Sequence, residues 1–497
     1  MALAPTVLKI SPTSKFGLGI VTPNATADFL GRLDFAWITT FHIIYPPLTI
    51  GLASLLFLAE WRWVATDREH WYRLVRFFER LFIVNFAAGV ATGITMEMAF
   101  GILYGPFSQA SGPFFGQVLG YETITAFMYE AGFIGLMIFG WGKIGRGMHL
   151  FATFNVALSS SLSAMWIMDA NSWMQTPTGV ELKDGYFQIS DWLAALFNPD
   201  VILGFPHMLI AAIEVALCFV IAVSAWFVLC RRHAVLFQRS LKYALLALLV
   251  IAPLQIYLGD GLGLIVAQDQ PAALAAMEGH YHTYNQDGSV DTSWEVVGWP
   301  NAKGDDMAWS ITIPHVLSLL ETHTWDGKVP GLDSVPPQNR PPVLVPFYAF
   351  RVMAAAGGAI MLLACWGAWL VLRGRFTVER IVRHRLFLWS AILCGFLPYI
   401  AIWCGWWVRE VGRQPWLVYG LMRTEQGVSH MSVTAAALWL AGYIYFELIV
   451  WGSTWYFFAK VMRRGPDMDS PVVQGGNQHL GELDAPHDGA PSYVRPI

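Results

Sequence analysis

The sequence predicts an all-α, polytopic integral membrane bundle of nine transmembrane helices, and three observations predict it. Hydrophobic residues make up 55% of the chain and charged residues only 13%, where an ordinary soluble chain carries about 25% charged residues. Nine stretches reach the roughly 20 apolar residues that a helix needs to cross the hydrocarbon. Finally, the basic residues alternate. The connections at 59–80, 142–149, 230–242 and 373–385 and the segment after 458 hold 20 of the 31 Lys and Arg. Segment 104–117 has none, 171–200 has only Lys183, and 268–344 has only Lys303, Lys328 and Arg340. Positive-inside bias therefore predicts an N-terminus outside and a cytoplasmic C-terminus. The net charge of −4 says little, because in a membrane protein the distribution of positive charge outweighs its sum, and no nucleic-acid partner is expected.

The spans are expected at about 36–58, 81–103, 118–141, 150–170, 201–229, 243–267, 345–372, 386–408 and 431–458. The first carries His42 in TTFHIIYPPLTIGL, the second Glu97, and the third both Glu122 and Glu130. A charged or polar side chain in hydrocarbon costs about 2.5–3.5 kcal/mol on insertion scales, so each marks a packed interior, a proton path or a metal ligand. On a regular helix Glu122 and Glu130 would stand about 80° apart and roughly 12 Å along the axis. The fifth span carries His207 and, seven residues on, Glu214 on the same face. The seventh contributes Arg351 and Met353, and the eighth ends in GWWVREVGRQPW with Glu410 and Arg413.

Residues before Asp28 read poorly as a signal peptide, since Pro5, Pro12 and Pro23 interrupt them and no sustained apolar core is present. They read as a tail, and 465–497, rich in Gly, Pro and Asp, reads as a disordered cytoplasmic tail. The five cysteines lie in or at the ends of spans with no CxxC pair, which argues against a disulfide framework, structural zinc and iron–sulfur clusters. Segment 268–344 is the one long extramembrane piece, and its Trp294, Trp299, Trp309 and Trp325 argue against disorder.

WITTFHIIYPPLTIGL, NFAAGVATGITMEMAFG, GYETITAFMYEAGFIGLMIFGW, LSAMWIMDANSWMQTP, PFYAFRVMAAAG and GWWVREVGRQPW resemble subunit I of the cytochrome bd quinol oxidases. The resemblance runs in order from about residue 30 to about 460, and the short 268–344 loop is similar to the cyanide-insensitive oxidase branch. It implies a division into a tail (1–30), six helices holding high-spin haem and proton-path residues (31–267), an extracytoplasmic quinol-binding loop (268–344), three helices (345–460) and a cytoplasmic tail (461–497).

By that resemblance His42 is an axial ligand of a high-spin haem, and His207 with Met353 holds a low-spin haem b. A His/Met pair is a recognised axial set that raises the haem potential. Glu410 ligates the other high-spin haem, and Arg351 and Arg413 lie near haem propionates, where a guanidinium fork suits carboxylates. Glu122 and Glu130 lie on the proton route to the oxygen-reducing haem, with Glu122 a candidate sixth ligand to its iron. Taken alone, the same residues have plainer readings: His42 a satisfied core histidine, Met353 core packing, Glu122 and Glu130 partners of a neighbouring helix, and Arg409, Glu410 and Arg413 a charged helix end. Arg351 could be an interfacial snorkeler.

The family's quinol site has a pattern like QPAKxAAMEG, and Gln270–Gly279 follows it with Glu278 present but Ala273 in place of lysine. A lysine would donate to a quinone oxygen, a part that His280 or His282 could take over. The cofactors implied are a low-spin haem b, a high-spin haem b, and haem d or a third haem b. The activity implied is quinol:oxygen oxidoreduction in a respiratory terminal oxidase. Quinol is oxidised at the outer face, electrons pass from the His207/Met353 haem to the high-spin pair, and cytoplasmic protons complete the reduction of dioxygen to water, so that proton motive force arises without pumping. The partners implied are the lipid bilayer of the bacterial inner membrane, a second membrane subunit (subunit II) and a single-span accessory subunit. A proton-coupled transporter would also place carboxylates in its spans, and a haem-less structural partner subunit would keep the pattern while missing ligands. A haem-copper oxidase would need clustered histidines that this chain lacks.

Overall fold

The computed structural model describes residues 24–301 and 303–473. Within them, nine helices are long and apolar enough to cross a membrane: Ala25–Thr66, Glu69–Leu103, Gly105–Phe139, Arg146–Gln175, Trp192–Leu229, Ala234–Asp269, Leu344–Leu372, Arg385–Gly412 and Val433–Arg464. These are called the first to ninth spans. Each expected span has its helix, and most helices run further than the apolar windows. The first begins at Ala25 under an Asn24 cap, whose Oδ1 accepts from the Thr26 and Ala27 amides at 3.0 and 3.2 Å, so residues 25–30 belong to the helix and not to a tail. The third begins at Gly105 inside a Gly- and Pro-containing stretch that reads as a loop in sequence. Pro106 is tolerated there because it falls in the first turn, where its missing N–H has no helical partner. The tail readings for residues before 24 and after 473 lie outside the described residues.

Four spans are interrupted, the fifth between helices Trp192–Leu196 and Val201–Leu229. The first breaks after His42, with Ile43 and Ile44 between helices Ala25–His42 and Tyr45–Thr66. Pro46 and Pro47 supply no N–H to the carbonyls four residues back, those of His42 and Ile43, so the hydrogen-bond ladder opens there. The third span consists of helix Gly105–Glu122, a π turn at Thr123–Phe127 and helix Met128–Phe139. The eighth divides between Cys394 and Leu397.

Spans five to eight pack in cyclic order, five on six, six on seven, seven on eight and eight on five, while span one joins spans two, four and five. The seam between the first and fifth spans is tight: a Cβ at Gly51 would lie 2.0 Å from the Ala212 carbonyl oxygen. Only glycine permits that approach, the usual device of helix packing in membranes, where small residues bring backbones together. Near the basic connections the core is aromatic. Phe227 stacks on Phe237 at 4.0 Å, and Phe77 meets both edge-on. The ninth span lies against the first and second.

The described residues of segment 268–344 form defined elements. Helix Pro271–Glu278 is buried along nearly its whole length, an antiparallel hairpin pairs Trp294–Pro300 with Met307–Ile313, and a short helix covers Val316–Thr322. All five cysteines are free thiols.

Candidate functional site

His42 is the last residue of its helix, and the break after it turns the imidazole toward the second span. There Nδ1 lies 2.9 Å from the Thr92 hydroxyl, which itself reaches the Ala88 carbonyl at 3.1 Å. Thr92 thereby fixes the ring through one nitrogen and leaves Nε2 for another partner. One residue on, a Cβ at Gly93 would lie 3.4 Å from His42 Cε1.

The same arrangement recurs twice. A Cβ at Gly259 on the sixth span would lie 3.1 Å from His207 Cε1, and one at Gly405 on the eighth would lie 3.2 Å from the Met353 sulfur. His207 Nδ1 is a buried atom with no hydrogen-bond partner, and Nε2 lies 3.3 Å from the Gln255 side-chain nitrogen. Buried polar atoms in proteins are nearly all satisfied, so an orphaned imidazole nitrogen requires a reason.

At the end of the eighth span the charges sort into two pairs. Glu410 accepts from Arg413, three residues on, and from Asn171 on the fourth span at 2.8 Å. The Arg413 side chain is 1% exposed while that of Glu410 is 38% exposed, so Glu410 keeps an open side. Arg409 donates to Asp200, to the Asn171 side-chain oxygen at 2.5 Å and to Ser172 at 3.0 Å. It ties the eighth span to the fourth and to the start of the fifth.

Glu122 and Glu130 both face the fourth span. Ser163 donates to Glu122 at 2.7 Å and Ser160 donates to Glu130. The two serines are three residues apart and therefore share a helix face. The expected 80° offset between the glutamates assumed a regular helix. The π turn between them sweeps fewer degrees per residue, and it turns both carboxylates to the same serine stripe. Glu130, Ser160, Ser163 and Glu122 form a polar row two turns long.

Glu278 closes helix Pro271–Glu278 and is 3% exposed. It accepts from Arg351 at 3.0 Å and from the Trp294 indole at 2.8 Å. Arg351 also holds the Met277 carbonyl at 2.6 Å and the Glu295 carbonyl, so one guanidinium staples the segment to the seventh span. Burial raises the Glu278 pKa, and Arg351 opposes the rise. His280 Nε2 is 3.1 Å from the Val329 carbonyl, and His282 stands half exposed between Asp306 and Asp333 at 3.8 and 3.9 Å.

Glu97 is exposed and Glu214 buried; the contacts of neither suggest a role. Nothing in the sequence singles out Thr92, Asn171, Ser160 or Ser163: Thr92, Asn171 and Ser163 lie within the motifs quoted above and Ser160 just ahead of one, while Arg409 reads there only as part of a charged helix end. Nor does the sequence single out Asp34, Asp169 or Glu447, buried acids whose carboxylate oxygens lack hydrogen-bond partners.

Nine membrane-crossing helices, with His42, His207 and Met353 each facing a glycine on a neighbouring helix and buried carboxylates between the spans, define a multi-pass membrane protein with a polar interior. The chain matches the family described as cytochrome bd terminal oxidase subunit I over residues 30–466 and belongs to it. It is similar to the cytochrome bd ubiquinol oxidase subunit 1 of Bacillus subtilis (strain 168), 31% identical over 89% of this chain and 94% of that protein. The cytochrome bd-II ubiquinol oxidase subunit 1 of Escherichia coli (strain K12) is 30% identical over 90% and 99%. Among solved structures, the bd oxidase from Geobacillus thermodenitrificans superposes with a TM-score of 0.81 at 27% identity, covering 89% of this chain and 99% of that one.

Proposed function

We propose that this chain is the haem-bearing, quinol-oxidising subunit of a bacterial respiratory oxidase that reduces dioxygen to water. The observation that carries this reading is the repeated niche: His42, His207 and Met353 each face a glycine on a neighbouring helix, and at Gly259 and Gly405 even a methyl group would press on the imidazole and the thioether. A haem suits these niches. The partnerless His207 nitrogen and the open side of Glu410 fit metal ligation, and Thr92 orients the His42 ring as the hydrogen-bonding partners of metal-bound histidines usually do.

In this reading His207 and Met353 hold a low-spin haem b, His42 and Glu410 serve the high-spin pair, a second haem b and either haem d or a third haem b, and Arg413 steadies Glu410. The haems, when bound, supply electron transfer and dioxygen reduction, chemistry that no side chain here provides. Glu130 and Glu122 deliver protons along the Ser160–Ser163 row, each serine hydroxyl able both to donate and to accept. Glu278 takes a proton from quinol in the 268–344 segment.

The distribution of Lys and Arg supports a cytoplasmic side at the basic connections and an external side at 268–344. Quinol protons then leave outside while oxygen reduction consumes protons from inside, so a potential builds without a pump. A bacterial inner-membrane location, a subunit II and a single-span accessory subunit complete the assembly. The test is a reduced-minus-oxidised optical spectrum of the purified complex together with quinol-driven oxygen uptake. Haem bands with quinol-dependent uptake are expected, and a haem-free chain would overturn the reading.

A further inference from the structure

We infer that Glu321 lines the quinol site of this chain and that its carboxyl group donates a hydrogen bond to a quinol oxygen. The inference rests on the reading of segment 268–344 as the quinol site and supplies the polar partner that the site lacks. Across Gln270–Gly279 the only titratable side chain is Glu278, and Arg351 and Trp294 already engage it. Position 273, where the family pattern has a donor, is an alanine with 8% exposure. His280 is turned to the Val329 carbonyl and Asp291, and His282 to Asp306 and Asp333. A quinol has two hydroxyl groups, and a site holding only Glu278 leaves the second without a partner.

Glu321 is placed to fill that gap. It lies on the short helix Val316–Thr322, four residues beyond Leu317 and so on the same face. Leu317 is buried in an apolar cluster with Leu274, Met277 and Val329, edged by Val266, Trp294, Phe350 and Val408. That cluster is an apolar wall of the kind a quinone ring needs, built from both the Gln270–Gly279 helix and the spans beside it. Glu321 Oε2 is a buried atom with no hydrogen-bond partner, an unusual condition for a carboxylate oxygen.

Two charged groups bear on its own charge. Asp260 on the sixth span and Glu278 both repel a negative Glu321, and Arg351 is committed to Glu278. On its own helix, His315 at the N-terminus is paired with Asp326 at 3.2 Å. Burial first, then the two acids, push the Glu321 pKa up to about 8. Below that pH the group is a neutral acid with an O–H to give, and above it the donor is lost and a negative charge takes its place.

The experiment measures KM and kcat for a short-chain ubiquinol by oxygen uptake in the intact complex, from about pH 6.5 to about pH 9. In the parent, KM should rise as pH passes about 8. Glu321→Ala should raise KM about tenfold near pH 7, with kcat changed less and the haem spectrum intact, as expected when an interaction common to ground and transition states is removed. Glu321→Gln keeps an N–H donor that does not titrate, so it should retain most of the affinity while the rise above pH 8 disappears. If Glu321→Ala does not accumulate, the pH profile of Glu321→Gln decides alone. A Glu321→Ala KM equal to that of the parent, or a Glu321→Gln profile that still rises, overturns the inference. Where that happens but Glu278→Gln still abolishes quinol turnover, the quinol-site reading stands. Where Glu278→Gln is also silent, that reading falls too.

Discussion

The Met353 sulfur lies 3.2 Å from the point where a Cβ would sit at Gly405, one helix across. That spacing is closer than a methyl group and a sulfur comfortably allow, so Gly405 sets where the thioether rests. Gly405→Ala should push the sulfur by a few tenths of an ångström and, on the proposed ligation by Met353, weaken a bond to iron that Met353→Leu would remove while preserving volume. Both variants should shift or weaken the low-spin alpha band and lower its midpoint potential, Met353→Leu more than Gly405→Ala. An unchanged spectrum and potential in Met353→Leu would remove Met353 from the axial pair.

A second expectation follows from the shared serine stripe. Glu130→Gln keeps size but cannot exchange a proton, and Ser160→Ala breaks the contact between Glu130 and the fourth span. Each should slow oxygen reduction by about 10²-fold or more, the lower range for a lost positioned proton-transfer group, with haem content near normal. His42→Ala and Glu410→Ala should instead lose high-spin haem signal. Measured haem content per complex separates the two classes, and a Glu130→Gln enzyme stripped of haem would contradict the division.

These contrasts show what the sequence made legible. Number and order of spans followed from apolar windows and the alternation of Lys and Arg, because both report on the bilayer directly. Helix ends did not, since a window sees only hydrocarbon while helices such as Glu69–Leu103 and Gly105–Phe139 continue into the polar zone. The π turn at Thr123–Phe127 was invisible, as nothing in TITAF departs from an ordinary apolar helix. His42, His207, Met353 and Glu410 stand out in the sequence only through motif resemblance, and the residues that contact them do not stand out at all. Thr92, Asn171 and Ser163 are common residues whose importance comes only from what they touch. Glu321 was unreadable for the same reason: one acid among many, distinguished only by the face it presents once the segment folds.

A third expectation concerns stability. The Arg409–Asp200 pair is largely removed from solvent, its side chains 13% and 3% exposed, and it joins the fourth, fifth and eighth spans. Removing one partner of a buried pair leaves an uncompensated charge, at a cost of about 3–5 kcal/mol. Arg409→Ala should therefore lower the thermal midpoint of the detergent-solubilised complex by several degrees, and Asp200→Asn should do so less because an amide still accepts from the guanidinium. Equal midpoints in Arg409→Ala and the parent would show that the pair carries no net stability.

The last expectation separates quinol oxidation from oxygen chemistry at Glu278. Burial raises its pKa and Arg351 lowers it, so the two opposing influences can be pulled apart by substitution. Glu278→Gln removes the proton-accepting oxygen while keeping a partner for the Trp294 indole, and quinol turnover should fall at least tenfold with every haem band retained. Arg351→Gln removes the opposing positive charge, so the carboxyl pKa should rise further and the acid limb of the kcat profile should move to higher pH. The sign is fixed, because a base whose pKa rises is protonated, and therefore inactive, over a wider acid range. An acid limb that moved to lower pH in Arg351→Gln, or stayed in place while Glu278→Gln lost activity, would mean that Glu278 binds quinol without accepting its proton.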